Sequence, residues 1–201
     1  MFWDKYARFY DLFENSFNGK VYRGFSSRTA EMLEAKDDVL EAACGTGVIT
    51  VKAAERCRSI IATDFSEGML DKARKKCAGC SNVFFEFGDL MDLKYDDGRF
   101  DKVIAGNVIH IVPDPRKAMS EMLRVSKPGG RIILPTFVSK KKNDMGAFAI
   151  WFLRLLGADF REEFTFESYK AFIADLGFPD AEFELIDGGI PNAIAVITKK
   201  A

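Results

Sequence analysis

Short apolar runs alternate with longer amphipathic stretches along most of the chain. The short runs are rich in β-branched and aromatic residues, which favour strands. Seven of them predict strands, at 38–43, 59–63, 82–87, 101–106, 131–137, Ala181–Ile186 and Ala193–Thr198. Apolar residues at helical spacing predict helices at 1–17, Val21–Ala35, 47–56, 67–77 and 115–125. This alternation is typical of an α/β domain in which right-handed crossovers join parallel strands.

The last two predicted strands are too close in sequence to be parallel neighbours. About six residues, including Gly188-Gly-Ile-Pro191, separate them. A parallel crossover needs about a dozen residues or more, whereas an antiparallel pair needs only a short turn. The sheet is therefore predicted to be parallel except for one reversed strand at the end of the chain.

A glycine turn follows the first predicted strand. The segment Glu41-Ala-Ala-Cys-Gly-Thr-Gly47 joins that strand to the helix 47–56. Gly45 and Gly47 allow a sharp turn and a close approach of the backbone to a ligand, and the helix start directs free N–H groups toward it. Asp64 ends the next strand, 17 residues after Gly47. A carboxylate in that place can hold both hydroxyls of a ribose, so the unit is predicted to bind a nucleoside.

Two residues of this unit select among nucleoside cofactors. The dinucleotide fingerprint requires a third glycine, and Thr50 occupies that position. Glu41 brings a negative charge that a pyrophosphate would not favour, but that suits a ligand carrying an ammonium and a sulfonium group. The predicted cofactor is therefore S-adenosylmethionine.

Five segments, in the same order, resemble the class I S-adenosylmethionine-dependent methyltransferases. The likeness is strongest to the small-molecule group that includes the ubiquinone/menaquinone-biosynthesis enzymes, and it covers roughly residues 37–137. Ala43 departs from the family, which usually has the first glycine of the turn there. The segments are Val39-Leu-Glu-Ala-Ala-Cys-Gly-Thr-Gly47, Ala62-Thr-Asp-Phe-Ser-Glu-Gly-Met-Leu70, Gly88-Asp89-Leu90, Phe100-Asp-Lys-Val-Ile-Ala-Gly-Asn-Val-Ile-His110 and Leu123-Arg-Val-Ser-Lys-Pro-Gly-Gly130.

The resemblance implies a Rossmann-like, doubly wound, seven-stranded α/β sheet with helices on both faces. It also implies that Asp89 accepts the adenine amino group, although a Gly-Asp pair would form a turn in any case. Met69 could flank adenine or pack in the core, and Ser66 suits a helix N-cap. The candidate cofactor residues are Tyr10, Glu41, Ala43, Gly45, Gly47, Asp64, Phe65, Met69, Asp89, Leu90 and Asn107.

Two residues after the fourth strand are the candidates for catalysis. Asn107 is expected near the transferring methyl group, and His110 could act as a general base. Methyl transfer is an in-line displacement that depends mainly on alignment, and it needs a base only when the nucleophile must lose a proton. The alternative for His110 is a packing role at the start of a helix.

The predicted domain is single, with four parts. Residues 1–36 form a helical lid, 37–137 the cofactor-binding core, 138–164 a helical insertion, and 165–201 the last helix with the antiparallel strand pair. The insertion contains a very apolar stretch with Phe148, Trp151 and Phe152. It is predicted either to pack against the domain or to wall an acceptor pocket or touch a membrane surface.

Composition narrows the choice of partners. A net charge of −1 argues against nucleic acid, and 19 Phe indicate an apolar, aromatic-lined interior. The sequence shows no apolar run of about 18 residues, so no stable membrane insertion is expected. It shows no signal peptide either, which predicts a cytoplasmic protein. Its four cysteines are expected to be reduced, and Cys77-Ala-Gly-Cys80 has no second pair for a metal.

The predicted function is methyl transfer to a small, hydrophobic or aromatic acceptor. An NAD(P)-dependent oxidoreductase is the alternative enzyme, and Thr50 and the reversed strand argue against it. The sequence also lacks a Tyr-x-x-x-Lys catalytic pair, because Tyr169 and Lys170 are adjacent. A non-catalytic S-adenosylmethionine-binding module is the third possibility. The sequence leaves the acceptor's identity and the oligomeric state open.

Overall fold

The computed structural model describes residues 19–139, 164–187 and 191–200, which form one sheet flanked by helices. The strands are β1 (Asp38–Ala42), β2 (Ser59–Asp64), β3 (Val83–Phe87), β4 (Phe100–Ile104), β5 (Ser126–Phe137), β6 (Glu182–Ile186) and β7 (Asn192–Thr198). The helices are α1 (Gly19–Glu31), α2 (Val48–Ala53), α3 (Glu67–Lys76), α4 (Pro115–Val125) and α5 (Phe166–Asp175). None of the helices in these ranges is long and apolar enough to cross a membrane.

The sheet has the order β3-β2-β1-β4-β5-β7-β6. All neighbours pair in parallel except β7, which is antiparallel to both β5 and β6. The predicted fold class, including the reversed final strand, is confirmed. The strand order reverses direction between β1 and β4, and the crevice beyond the carboxyl ends of the strands at such a point is where open α/β sheets bind ligands.

Helices cover both faces because successive strand residues point to opposite sides. Leu40 of β1 belongs to a core cluster with Met119 of α4 and Tyr169 of α5. Its neighbour Val39 belongs to a second cluster with Ile49 of α2. Glu41 points to the same side of the sheet as Val39, so its carboxyl group lies against α2.

Two predicted element ends differ from the structure by four residues or more. Helix α1 ends at Glu31 rather than Ala35, and a turn closed by the Asp37 N–H donating to the Glu34 carbonyl at 2.9 Å follows it. Strand β5 begins at Ser126, whereas the sequence predicted a strand from 131, with Pro128-Gly129-Gly130 as a turn before it. The Gly129 N–H donates to the Lys199 carbonyl at 2.9 Å, so this stretch continues the sheet next to the end of β7.

Several sequence predictions fall on residues outside the described ranges: helix 1–17 with Tyr10, and the apolar stretch with Phe148, Trp151 and Phe152. The two ends of the predicted insertion are described, and they meet. The Ser139 N–H donates to the Phe164 carbonyl at 2.8 Å, and Ser139 forms a parallel bridge with Thr165. The insertion therefore leaves and rejoins the domain at one place, just beyond the end of β5.

Candidate functional site

A cavity of about 360 Å³ opens beyond the carboxyl ends of β1, β2, β3 and β4. Nine of the candidate cofactor residues line it, together with Gly106, Phe25 and several apolar residues after β4. The structure brings together residues from four separate strand ends, as expected for a site at the switch point of the sheet. The nine are Glu41, Ala43, Gly45, Asp64, Phe65, Met69, Asp89, Leu90 and Asn107.

The turn after β1 contains three residues in the left-handed region. Ala43, Gly45 and Gly47 have φ of 60°, 55° and 80°. A Cβ at Gly45 would meet no heavy atom within 4 Å, so this glycine faces open space. A Cβ at Gly47 would lie 3.1 Å from Ala73, so that glycine allows α3 to pack against the turn. Gly47 is not among the cavity-lining residues and acts through packing.

Ala43 is the one non-glycine residue of this turn in the left-handed region. That conformation brings Cβ close to the following carbonyl oxygen, which costs about 1–2 kcal/mol. The family's usual glycine would avoid this strain. The sequence correctly marked Ala43 as the departure, but the strain was visible only once its φ was known.

Asp64 holds the turn as well as facing the cavity. Its Oδ2 accepts the Gly45 backbone N–H at 2.8 Å, and its Oδ1 accepts the Ser66 N–H at 2.9 Å. Each carboxylate oxygen has about two acceptor positions. Asp64 also lines the cavity, and a carboxylate at this strand end is the group that accepts the hydroxyls of a ribose in nucleoside sites.

Glu41 is buried and bonded to the residue that replaces the third glycine. The Thr50 hydroxyl donates to Glu41 Oε2 at 2.6 Å. Burial, reinforced by the charge of Asp64, raises the pKa of Glu41 from 4.5 to about 8, and the Thr50 hydrogen bond opposes this shift. Thr50 is thus the partner of the buried acid, a role the sequence did not reveal because it depends on which way Glu41 points.

The β2 and β3 ends form an aromatic and polar rim. Phe65 is 47% exposed, and its ring centroid lies 5.7 Å from that of Phe87. Met69 is buried and also lines the cavity, so both sequence readings of it remain compatible. Asp89 Oδ1 accepts the Met91 N–H at 2.8 Å, which is the predicted turn contact.

Ser66 caps α3 as the sequence predicted. Its side chain accepts the Met69 N–H at 3.2 Å. This bond fixes the start of the helix that follows Asp64 and Phe65. The two candidate cofactor residues at the end of β2 are therefore attached to a helix start of defined geometry.

Beyond β4, Gly106 and Asn107 shape the floor of the cavity. A Cβ at Gly106 would lie 2.6 Å from Ile49 Cδ1, so only glycine fits between β4 and α2 without displacing Ile49. Asn107 has φ of 54°, and its Oδ1 accepts the Phe137 N–H at 2.9 Å. Asn107 therefore joins the end of β4 to the end of β5 while lining the cavity.

His110 lies away from the described cavity. Its ring is buried and contacts Phe164 edge-on, with centroids 6.1 Å apart. Burial lowers the pKa of His110 from 6.5 to about 4, which weakens it as a base. Among the described residues, the position of His110 favours a packing role. A role of His110 as a general base stays a prediction.

The sequence missed an apolar part of the wall. Phe25 of α1 lines the cavity and packs edge-on against Phe137, with ring centroids 5.9 Å apart. No motif marks this residue, because only the packing of α1 on the sheet brings it to the site. The other missed apolar wall residues are Val48, Ile49, Met91, Val108, Ile111, Val112 and Pro113. Within the described ranges no cluster of three or more His, Cys, Asp or Glu forms a metal site.

Comparison with known proteins identifies the family. A family model described as a methyltransferase domain matches residues 39–130. The demethylmenaquinone methyltransferase of Clavibacter sepedonicus is 38% identical over 120 residues, which are 60% of this chain and 49% of that protein. Residues 39–130 form a class I S-adenosylmethionine-dependent methyltransferase domain. Membership of this family implies S-adenosylmethionine as the cofactor.

Other relatives of this methyltransferase agree. The demethylmenaquinone methyltransferase of Shouchella clausii is 34% identical over 131 residues, covering 62% of this chain and 56% of the relative. The matched region therefore spans about half the length of the curated relatives.

Solved structures of methyltransferases share the fold. An S-adenosylmethionine-dependent methyltransferase from Thermotoga maritima superposes with a TM-score of 0.71 at 21% identity, covering 98% of this chain and all of that one (100%). Another from Aquifex aeolicus gives 0.68 at 16% identity, covering 96% and 98%. At these identities the superpositions establish the fold alone.

Proposed function

We propose that this methyltransferase domain transfers the methyl group of S-adenosylmethionine to a small, hydrophobic or aromatic acceptor by in-line displacement. The observation that carries the proposal is the Asp64 carboxylate. It accepts the Gly45 N–H at 2.8 Å and lines a cavity of about 360 Å³. The cavity is of the size usual for small-molecule ligand sites.

The described residues fit the cofactor part by part. Asp64 would hold the ribose hydroxyls, with Phe65 and Met69 beside the adenine. Glu41 would face the amino acid end, where an ammonium group would favour its ionised form. Gly45 leaves the backbone accessible, since a Cβ there would have no neighbour within 4 Å. Asp89 and Leu90 complete the adenine end in this proposal.

When bound, S-adenosylmethionine supplies a methyl carbon already activated by its sulfonium. The work left to the chain is alignment and the exclusion of water. Gly106 allows β4 and α2 to pack closely beside the cavity, because it has no Cβ to meet Ile49. Asn107 fixes the end of β4 against β5 through its 2.9 Å bond to the Phe137 N–H. We assign Asn107 the role of aligning the two reactants, with no proton transfer required of it.

The acceptor class follows from the apolar side of the cavity. Phe25, Val108 and Ile111 line it without contributing a side-chain charge. Burying polar acceptor groups there without partners would cost about 1–3 kcal/mol each. Two of the curated relatives are named for demethylmenaquinone, so a quinone is the first acceptor to test.

Two parts of the chain that lie only partly within the described ranges complete the proposal. Residues 1–36, with Tyr10, would form a lid, and the 138–164 insertion would supply a further acceptor wall. The meeting of Ser139 and Phe164 places the base of that insertion beside His110. The acceptor is a small molecule and not nucleic acid in this proposal, and the cytoplasmic location stays a prediction.

A methyl-transfer assay tests the function. The full chain would be incubated with methyl-labelled S-adenosylmethionine and, in separate reactions, a naphthoquinol, a catechol, a hexose and an RNA. Label is expected in an aromatic acceptor and should be strongly reduced with Asp64→Ala at a cofactor concentration near the parent's Kd. Label in the hexose or RNA would contradict the acceptor class, while cofactor binding without any transfer, in a screen extended to metabolite extracts, would favour a non-catalytic binding module.

A further inference from the structure

Cys77 and Cys80 form a tight turn at the end of α3. The Cys80 N–H donates to the Cys77 carbonyl at 2.9 Å, which closes a four-residue turn. Such a turn holds its first and last Cα atoms within about 7 Å, and disulfides span about 4.4–6.8 Å between Cα atoms. A disulfide can therefore form here with little movement of the backbone.

This turn lies against the cofactor turn. Cys77 Sγ is 3.5 Å from the position that a Cβ on Gly47 would take. The preceding residue, Lys76, donates from Nζ to Thr46 Oγ1 at 3.0 Å. The end of α3 thus contacts two consecutive residues of the loop that joins β1 to α2.

We propose that Cys77 and Cys80 are a reversible dithiol–disulfide site that weakens cofactor binding when oxidised. A disulfide brings the two sulfurs to about 2.05 Å. Because Cys80 sits in a partly exposed turn, closing this bond draws the Cys77 sulfur outward and away from Gly47. The packing that supports the turn beneath the cofactor is loosened, while the cavity-lining residues are chemically unchanged.

The oxidant is a low-molecular-weight disulfide such as oxidised glutathione. Cys80 is the more exposed thiol, and its thiolate attacks one sulfur of the oxidant, forming a mixed disulfide and releasing one glutathione thiolate. Cys77 then attacks the Cys80 sulfur and releases the second glutathione. The two cysteine protons end on the two glutathione thiols, and two electrons pass from the protein to the oxidant. Burial raises the pKa of Cys77 to about 12, so the second step is expected to speed up with pH.

The first test is chemical and independent of any cofactor. The full chain would be equilibrated with oxidised glutathione, digested without reduction and mapped by mass spectrometry. A Cys77–Cys80 bond is expected, with Cys44 and Cys57 still free. A Cys44–Cys77 bond, a stable glutathione adduct on Cys80 or a bond between two chains would overturn the proposal.

The second test measures the coupling and alone rests on the proposed function. Affinity for S-adenosylhomocysteine would be compared in the oxidised and reduced chain, with an expected loss of about fivefold on oxidation, the lower range of typical couplings. By reciprocity, the ligand should make the pair about fivefold harder to oxidise. Equal affinities in the two states would overturn the coupling, whereas a reduced chain that binds no S-adenosylhomocysteine would instead refute the proposed function.

Matched variants keep the test specific. Cys80→Ser cannot form the bond and should bind equally under both conditions, with Cys80→Ala as a second choice. Cys57→Ser removes a thiol that lies in the core cluster of Val39 and Ile49, and this variant should retain the redox response. A response that persists in both Cys80 variants would overturn the assignment to this pair.

Discussion

The Asp64 carboxylate bonds the end of β2 to the glycine turn after β1, with Oδ2 accepting the Gly45 backbone N–H at 2.8 Å. Oδ1 bonds in the same way to the Ser66 N–H at 2.9 Å. The residue expected to hold the ribose therefore also fixes the loop around it. Its removal should affect both ligand binding and the local fold.

Asp64→Ala should weaken S-adenosylhomocysteine binding by about 10–150-fold, because charge-assisted hydrogen bonds contribute about 1.5–3 kcal/mol. It should also lower the free energy of unfolding by about 2 kcal/mol, since two backbone donors lose their acceptor. Calorimetric titration and urea unfolding measure the two effects. Asp71→Ala, on the exposed face of α3, is the control and should change neither. An Asp64→Ala protein that binds like the parent would place the ribose elsewhere.

Ala43→Gly should stabilise the protein. Relief of the left-handed conformation, φ 60°, contributes about 1–2 kcal/mol, and the greater freedom of glycine in the unfolded chain offsets about 0.4–1 kcal/mol. These terms leave a net gain of about 0–1.6 kcal/mol in urea unfolding, with a midpoint of about 0.8 kcal/mol. The same change at Ala171, exposed within α5, should cost about 1 kcal/mol. Equal losses at both positions would show that Ala43 carries no strain.

Gly106→Ala should be destabilising because its Cβ would lie 2.6 Å from Ile49 Cδ1. The φ of Gly106 is outside the left-handed region, so the substitution adds no backbone strain and its effect on stability comes from the steric contact. Because Cδ1 is the far end of a flexible side chain, the cost should lie at or below the lower end of the about 1–3 kcal/mol that overpacking costs. Ile49→Val removes Cδ1, so the double variant should recover at least about 0.5 kcal/mol in a double-mutant cycle of urea unfolding. Strict additivity would mean that Ile49 is not the obstacle.

Glu41→Gln should gain stability relative to the parent as pH rises from 5 to 8. The pKa of Glu41 is raised from 4.5 to about 8, chiefly by burial. Between these values the unfolded chain is ionised and the folded chain holds the proton, so parental stability falls by up to about 1.4 kcal/mol per pH unit. Glutamine does not titrate, and His110 is common to both proteins. A difference between Glu41→Gln and the parent that does not change with pH would mean an ordinary carboxyl at position 41.

The sheet could be predicted from the sequence because its strands are short apolar runs with turn residues between them. Asp64 and Gly45 could be placed in the site for the same reason, since parallel strands deliver their ends to one edge. The contribution of Phe25 to the cavity wall could not be predicted, because it depends on how α1 packs on the sheet. The burial of His110 against Phe164 was equally hidden, because a position after a strand end does not tell which way the ring turns. Residues 128–130 continue β5 rather than turning because a bond to Lys199 beside β7 is available, which is a long-range contact.

Titration calorimetry with S-adenosylhomocysteine and with NAD tests the central claim most directly. The parent chain is expected to bind S-adenosylhomocysteine at one site, with most of the affinity lost in Asp64→Ala and retained in Asp71→Ala, and to give no heat with NAD. Saturable binding of NAD, together with no response to S-adenosylhomocysteine at millimolar concentration, would contradict the account.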